Sequence, residues 1–212
     1  MRKLFCMALV LTTSLVVLSG CGKEKVNGVS AESALKNAKV VETTEAESVK
    51  TKPFDASKLN IKLGKQKIKL PCKFEVFEKA GYKRSDDSDG EDVTVKPGES
   101  NVSIHLVKGN NDILVYVANH TKKDLKASKC TVEAVALSSL LGNHEDFEIN
   151  GVGFKGTRNE VMKAVGTPTE VSETVGTNYE YLNYTFGDSQ LHIAFDGNGI
   201  HDFAYMYSSE EE

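Results

Sequence analysis

The 212-residue sequence has no excess of positive charge and no long hydrophobic run beyond its N-terminus. Its formal net charge is −4, whereas nucleic-acid-binding domains carry a basic surface, so the composition argues against nucleic acid as a partner. A helix needs about 20 consecutive apolar residues to span a bilayer. The longest apolar stretch, Leu4–Leu18, has 15 residues, and we therefore expect no transmembrane helix.

Recognisable catalytic and metal-binding motifs are also absent. The five histidines form no His-x-x-x-His pair, and none has a cysteine neighbour at the spacing of a zinc site; they are His105, His120, His144, His192 and His201. The acidic segment Asp86–Asp92 differs from a calcium-binding loop, because Ser85 occupies the first ligand position and Lys96 the twelfth. We therefore predict no metal, no cofactor and no catalytic residue.

The N-terminus has the composition of an export signal. Arg2 and Lys3 precede the apolar stretch, and it ends in Leu18-Ser19-Gly20-Cys21. A basic region, an apolar core and small residues at a cleavage point are typical of a signal peptide, which we assign to residues 1–20. The cysteine after the small residues resembles the lipobox of bacterial lipoproteins. That resemblance implies cleavage before Cys21, diacylglyceryl attachment to its sulfur, and a lipid-anchored protein on the extracytoplasmic face of the cell membrane.

Residues 21–56 are predicted to form the acylated cysteine and a flexible tether. Charged residues, Ser, Thr and Ala dominate this segment, so it cannot bury enough apolar surface to offset the entropy of ordering. Loss of the signal changes the formal net charge from −4 to −6. We interpret this charge as favouring solubility of the folded part.

Two cysteines remain in the folded part, because Cys6 is removed with the signal and Cys21 is acylated. An even number of cysteines in an exported domain favours a disulfide, here between Cys72 and Cys130. Free cysteine is also a common buried residue, so two buried thiols are the alternative.

Alternation of apolar and polar residues predicts strands through most of residues 57–212. Leu59–Leu63 and Lys67–Leu70 alternate on either side of a turn at Gly64 and predict a hairpin. The segment Asp112–Ala118 is rich in β-branched and aromatic residues, as in a central strand. Further strands are predicted over Cys130–Leu137, Tyr179–Phe186, Gln190–Phe195 and Ile200–Tyr207.

Two similar segments predict short helices. Leu70–Gly81 aligns without gaps to Lys155–Gly166, and both have Glu-Val at the centre and glycine at the end. In the second segment, Thr157 and Glu160 have the spacing of a capping box. The match predicts a structural duplication, with a first β-rich repeat over 57–142 and a second repeat of one helix and three strands over 143–212. Chance similarity between two short amphipathic helices is the alternative.

The segment Gly156–Pro168, followed by Tyr179-Glu180-Tyr181 and Leu191–Gly197, resembles the helix-then-hairpin unit of the β-lactamase-inhibitor-protein-like fold. It is also similar to the small lipoprotein of the outer-membrane barrel-assembly machinery. The resemblance implies an α+β fold of tandem helix-plus-antiparallel-sheet repeats, with the sheet covered by helices on one face. Because members of such a fold bind unrelated proteins, the resemblance indicates fold better than function.

Strand alternation also predicts a candidate binding site. Leu182, Tyr184 and Phe186 share one face of their strand, which places Tyr179, Tyr181 and His192 on the opposite face. Tyrosines on an exposed rigid sheet are frequent binding anchors, although ordinary cross-strand pairing is the alternative.

From these features we predict a non-catalytic, lipid-anchored envelope protein that binds a protein or cell-wall partner through an open sheet face. An envelope-processing hydrolase with a site assembled from scattered residues is a second hypothesis. Support for the assembly of a larger envelope complex is a third.

Overall fold

The computed structural model describes residues 51–85, 93–173 and 179–208, which contain fifteen strands and two α-helices. The strands before the second helix are β1 (Ile61–Leu63), β2 (Gln66–Ile68), β3 (Cys72–Lys73), β4 (Lys83–Arg84), β5 (Thr94–Val95), β6 (Val102–Lys108), β7 (Asn111–Ala118), β8 (Leu125–Lys126), β9 (Thr131–Ser138), β10 (Phe147–Ile149) and β11 (Val152–Gly153). The later strands are β12 (Glu170–Glu173), β13 (Glu180–Phe186), β14 (Ser189–Asp196) and β15 (Gly199–Tyr207), and the helices are α1 (Glu75–Lys79) and α2 (Arg158–Val165).

A small antiparallel sheet joins two hairpins that are far apart in sequence, in the order β11-β10-β1-β2. The predicted first hairpin is present, with Ile61 opposite Ile68. On its other side Ile61 lies opposite Ile149 of β10. The apolar residues of β1 and β10 therefore share one face, and the alternate residues, such as Lys62, point away from it.

The large sheet has the strand order β12-β13-β14-β15-β9-β7-β6-β4, and β3 adds a short pairing to β9. Its neighbouring strands are antiparallel, and β9 and β15 join the two halves of the sheet with Val135 opposite Tyr205. Asp112–Ala118, predicted as a central strand, lies within β7 between β6 and β9. A separate two-stranded pairing joins β5 and β8.

One apolar core lies between the two sheets. Phe147 from the small sheet contacts Phe203 from the large sheet at a ring distance of 4.6 Å, and Val161 and Val165 of α2 belong to the same buried cluster. The described residues form a single compact unit by their internal contacts. The small sheet therefore packs its apolar side against one face of the large sheet. Helix α1 contacts β2, and α2 contacts β10 and β11.

The expected α+β fold class, with a sheet covered by helices, is wrong. Strands contain 49% of the described residues and helices 15%, with only two α-helices among them, so the fold is mostly antiparallel β. The first of the two aligned segments explains the difference. Cys72 and Lys73 form a strand against β9, and α1 begins at Glu75 without a side-chain cap and is five residues long.

The second aligned segment forms the helix that was predicted. The Thr157 side chain accepts from the Glu160 backbone N–H, and the Glu160 carboxylate accepts from Thr157, which completes the capping box. The Gly166 N–H closes the helix on Met162 O. Gly166 has φ +116°, and a Cβ there would lie 2.8 Å from Phe54 Cα, so the position requires glycine.

The folded body begins earlier than the tether predicted over 21–56 suggested. Pro53 forms a parallel bridge with Thr167, and the Thr167 N–H donates to Lys52 O at 2.9 Å. The Phe54 ring lies 5.0 Å from that of Tyr184. The Phe54 ring therefore attaches this segment to the apolar core, although the preceding sequence is rich in charged residues. The predicted signal peptide, Cys21 and the remainder of the predicted tether lie outside the described residues.

None of the helices in the described ranges is both long enough and apolar enough to cross a membrane.

Candidate functional site

The candidate site lies on the face of the large sheet that points away from the core, which we call the open face. One row of paired residues crosses it from β13 to β6, and its side chains are half-buried or exposed, unlike the buried residues behind them. That row contains Asn183, His192, Ala204, Ala136, Leu114 and His105. Adjacent rows add Tyr181, Asp202, Gln190, Met206, Ala134 and Tyr116.

The three residues predicted as a binding site lie close together on the open face. His192 pairs with Asn183, and Tyr181 lies two residues away on the same strand. The Tyr181 and His192 rings are 5.4 Å apart, and all three predicted residues, Tyr179 included, are half-buried. Tyr179, Tyr181 and His192 are therefore partly accessible to a partner, and the Tyr181 and His192 rings contact each other.

Two residues that the sequence reasoning did not include, His201 and Asp202, complete the group. His201 Nε2 is 3.3 Å from the Tyr179 hydroxyl, and His201 Nδ1 is 2.9 Å from Asp202 Oδ2. The two rings, of Tyr179 and His201, are 4.7 Å apart. We call the five residues Tyr179, Tyr181, His192, His201 and Asp202 the tyrosine–histidine cluster.

A β-bulge explains why alternation could not place His201. Ile200 pairs with Phe195 and Asp202 pairs with Ala194, so His201 is an extra residue between two pairs. Such a bulge shifts the two-residue period of the strand, and alternation alone could not decide which way β15 faces. Phe203 and Tyr205 are buried in the core, which leaves Asp202, Ala204 and Met206 on the open face.

Charge on this part of the open face is acidic. The segment 170–212 contains nine acidic residues and no lysine or arginine, and Glu170 and Asp202 occupy outward positions opposite Asn183 and Ala194. Burial lowers the pKa of His192, and Asp202 opposes that shift. His192 is therefore neutral at pH 7 and offers hydrogen bonds rather than a cation. The long segment without basic residues was readable in the sequence.

Other histidines of the described chain also lie beside carboxylates. His105 Nδ1 is 3.4 Å from Asp112, and His120 Nε2 is 2.7 Å from Glu133. Across the described ranges no three His, Cys, Asp or Glu side chains converge as a metal site would require. The acidic segment Asp86–Asp92 lies outside the described residues.

A shallow depression of about 590 Å³ lies beside β11 and α2. Its lining includes Gly151, Gly153, Gly156, Lys155 and Lys163. The Glu160 carboxylate in its wall accepts hydrogen bonds from the Thr157 N–H and hydroxyl at 2.8 and 2.9 Å. Because that carboxylate already caps the helix, the depression provides no acid–base pair.

Cys72 and Cys130 are not joined by a disulfide. Cys72 is half-buried, so the alternative of two buried thiols fits Cys130 alone. Burial raises the pKa of Cys72 to about 11, so its thiolate is scarce at neutral pH and it is a poor nucleophile. Cys130 is buried.

Comparisons with protein-family models, with curated proteins and with solved structures found no match to this chain.

Proposed function

We propose that the chain is a non-catalytic, lipid-anchored protein of the cell envelope that binds a protein or cell-wall partner through the open face. The grouping of Tyr179, Tyr181 and His192 on the open face is the observation that carries this proposal. The lipobox-like Leu18–Cys21 supports the lipid anchor.

Rigid placement favours a binding role for the tyrosine–histidine cluster. Strand β14 is paired on both sides, by β13 and β15, so the positions of the ring-bearing strands are set before a partner arrives. Tyrosine offers a large contact area with few rotatable bonds, and preorganised side chains lose little entropy on binding. Half-buried rings of this kind can act as anchors in an interface.

The charge of the cluster favours a partner with cationic or hydrogen-bond-donor groups. Asp202 and Glu170 supply negative charge, and the segment that forms β12 to β15 has no lysine or arginine to neutralise it. A cation can also lie against a tyrosine ring. We therefore expect lysine, arginine or amine groups on the partner surface.

One series of side-chain contacts in the tyrosine–histidine cluster resembles the geometry of a catalytic site. The Tyr179 hydroxyl, the His201 imidazole and the Asp202 carboxylate follow one another at 3.3 and 2.9 Å, in the order used to activate a hydroxyl nucleophile. A phenol differs from a serine hydroxyl, and the cluster lies on an outward sheet face whereas substrates are usually enclosed in a cleft. We therefore interpret these contacts as orienting the Tyr179 ring.

A site-specific cross-linking experiment tests the binding role. A photoreactive amino acid replaces Asn183, within the open face, in the acylated chain in its native membrane. We expect one cross-linked species from this position, and we expect the added substitutions Tyr181→Ser and His192→Ser to reduce its yield at least about tenfold, because interface anchors commonly contribute more than 1.4 kcal/mol.

The control places the same photoreactive residue at Lys67 of the small sheet. Absence of a cross-linked species at position 183, or equal cross-linking at positions 183 and 67, would contradict binding through the open face. Mass analysis of the same material checks the anchor, because an uncut N-terminus without a lipid on Cys21 would contradict it.

A further inference from the structure

The outward face of the small sheet is rich in lysine. Lys62 and Lys67 lie directly opposite each other in the β1–β2 pairing, while Ile61, Leu63 and Ile68 point into the core. Lys69 follows on the same outward side by alternation, and Lys65 is exposed in the hairpin turn. We call Lys62, Lys65, Lys67 and Lys69 the lysine face.

Most of this positive charge has no internal partner. Lys62 pairs with Glu148 at 3.5 Å, but among the described residues Lys65, Lys67 and Lys69 form no ion pair. Like charges directly opposite on neighbouring strands are destabilising. An anionic surface outside the molecule would relieve the repulsion between Lys62 and Lys67.

Further lysines extend the charge beyond β11, at the other edge of the small sheet. Lys155 and Lys163 border the depression next to this strand. Glu160 is the acidic residue in that lining, and its carboxylate is held by Thr157. The positive charge therefore exceeds the negative charge from β2 across to β11.

The N-terminal side of the chain joins the body on the side of the large sheet that carries the small sheet. Phe54 packs against Tyr184 and Phe186 with ring distances of 5.0 and 5.2 Å. Tyr184 is fully buried in the core, so Phe54 lies on the core side of β13. The chain leading back towards Cys21 therefore meets the described body away from the open face.

We infer that the lysine face docks on an anionic lipid surface and that the open face consequently points away from the membrane. This orientation rests on the proposed lipid anchor, which would keep the lysine face near the bilayer. Each lysine close to an anionic bilayer strengthens association by about fivefold. The effect is electrostatic and weakens at high salt.

Fluorescence quenching by headgroup-labelled lipid tests the orientation. One label is placed through Lys65→Cys on the lysine face and, in a second sample, through Met206→Cys on the open face. The acylated Cys21 is blocked, the pKa of Cys72 is raised to about 11 by burial, and Cys130 is buried. At pH 7 the introduced cysteine is therefore labelled selectively.

On vesicles of phosphatidylcholine and phosphatidylglycerol we expect quenching at position 65 to exceed that at position 206 severalfold. The difference should vanish on pure phosphatidylcholine and at about 1 M salt, where the screening length is about 3 Å. The paired substitution Lys67→Glu and Lys69→Glu should abolish it. The matched control, Lys122→Glu and Lys123→Glu in an exposed loop outside the small sheet, should preserve it.

Equal quenching at the two positions, stronger quenching at position 206, or the same result on neutral vesicles would overturn the inference. A second sample separates this result from failure of the anchor. In it, Cys21→Ser removes the acylation site and an N-terminal histidine tag holds the chain on a nickel-chelating lipid. Stronger quenching at position 65 than at position 206 in this sample supports docking by the lysine face even where natural acylation is absent. Equal quenching at the two positions refutes it.

Discussion

The two outward faces of the molecule differ in charge and in the side chains they present. The lysine face has four lysines, one of which is paired with Glu148 at 3.5 Å. The open face presents tyrosines, neutral histidine and carboxylates, and the segment forming β12 to β15 contains no lysine or arginine. Because the small sheet packs its apolar side against the large sheet, the two faces are held on opposite sides of one core.

The two faces therefore suit different kinds of partner. Long-range attraction by lysine is strong towards an extended anionic surface and needs little shape matching. Half-buried tyrosines favour a shaped partner that fills the space between rings. A single fold can therefore be oriented by one face and recognise a partner with the other.

The largest effect is expected from breaking the core that holds the faces apart. Phe147 is almost completely buried and contacts Phe154 and Phe203 at 5.6 and 4.6 Å. Phe147→Ala should lower the free energy of unfolding by about 3–5 kcal/mol, measured by urea denaturation. Met206→Ala on the open face is the control and should cost less than about 1 kcal/mol. Equal losses would contradict a core shared by the two sheets.

The next effect concerns recognition by the open face. Tyr181→Ser should reduce partner cross-linking at least about tenfold, as expected for an interface anchor. Its effect on the free energy of unfolding should be only about 1 kcal/mol, because the ring is half-buried. Measuring cross-link yield and urea denaturation on the same variant separates an effect on partner binding from an effect on stability. A loss of binding that merely follows a loss of stability would argue against an anchor.

A pH titration sharpens the contrast, because two histidines are held neutral by burial. Burial lowers the pKa of His144 and of His192 from 6.5, so the unfolded chain binds more protons than the folded chain in mild acid. Their contribution to stability is complete above pH 6.5 and is lost as the pH falls below it. Urea denaturation at pH 7.5 and 5 should show this loss.

His192→Gln should reduce the loss on acidification, since glutamine does not titrate. His105→Gln is the control, because His105 is exposed on the same face. An unchanged pH dependence in the His192 variant would show that this histidine is not held neutral by the fold.

The smallest effect is expected from the lysine face. Lys67→Gln removes the like charge opposite Lys62 and should raise the free energy of unfolding by about 0.2–1 kcal/mol. Thermal or urea unfolding at low salt measures the gain, which salt should diminish. Lys122→Gln, in an exposed loop, is the control. Destabilisation by Lys67→Gln would show that the lysine pair is not repulsive.

Local sequence patterns predicted several elements correctly for identifiable reasons. Thr157, Glu160 and Gly166 define the ends of α2 through contacts within one helix turn. The hairpin of β1 and β2 depends on alternation around one glycine turn. In both cases the interacting residues are near one another in sequence, so the pattern contains the physical cause.

The first predicted helix is present as α1, but it is shorter than its aligned segment because the first residues of that segment pair with a distant strand. Cys72 and Lys73 have a strand partner in Val132 and Thr131 of β9, which no local pattern shows. Aromatic Phe74 and Phe77 are buried in the core and hold a helix of only five residues. Tertiary burial outweighed the resemblance of this segment to α2.

The candidate site was predicted in part. Alternation grouped Tyr179, Tyr181 and His192, because each strand of the pair keeps its two-residue period. His201 was missed because the bulge at Ala194–Phe195 interrupts that period in the β14–β15 pairing. Whether the grouped residues bind a partner stays a prediction, as does acylation of Cys21.

The amino-acid sequence alone shows which segments are apolar at alternate positions, where α2 is capped, and that no lysine or arginine follows Lys163. The pairing of the β1 and β10 hairpins across 86 residues, from Lys62 to Glu148, emerges only in the folded chain. That pairing places the small sheet on one side of the large sheet and leaves the other side open. The lysine face and the open face therefore lie on opposite sides of the core. The pairing depends on burial of apolar side chains between distant segments, and such burial is a property of the whole chain.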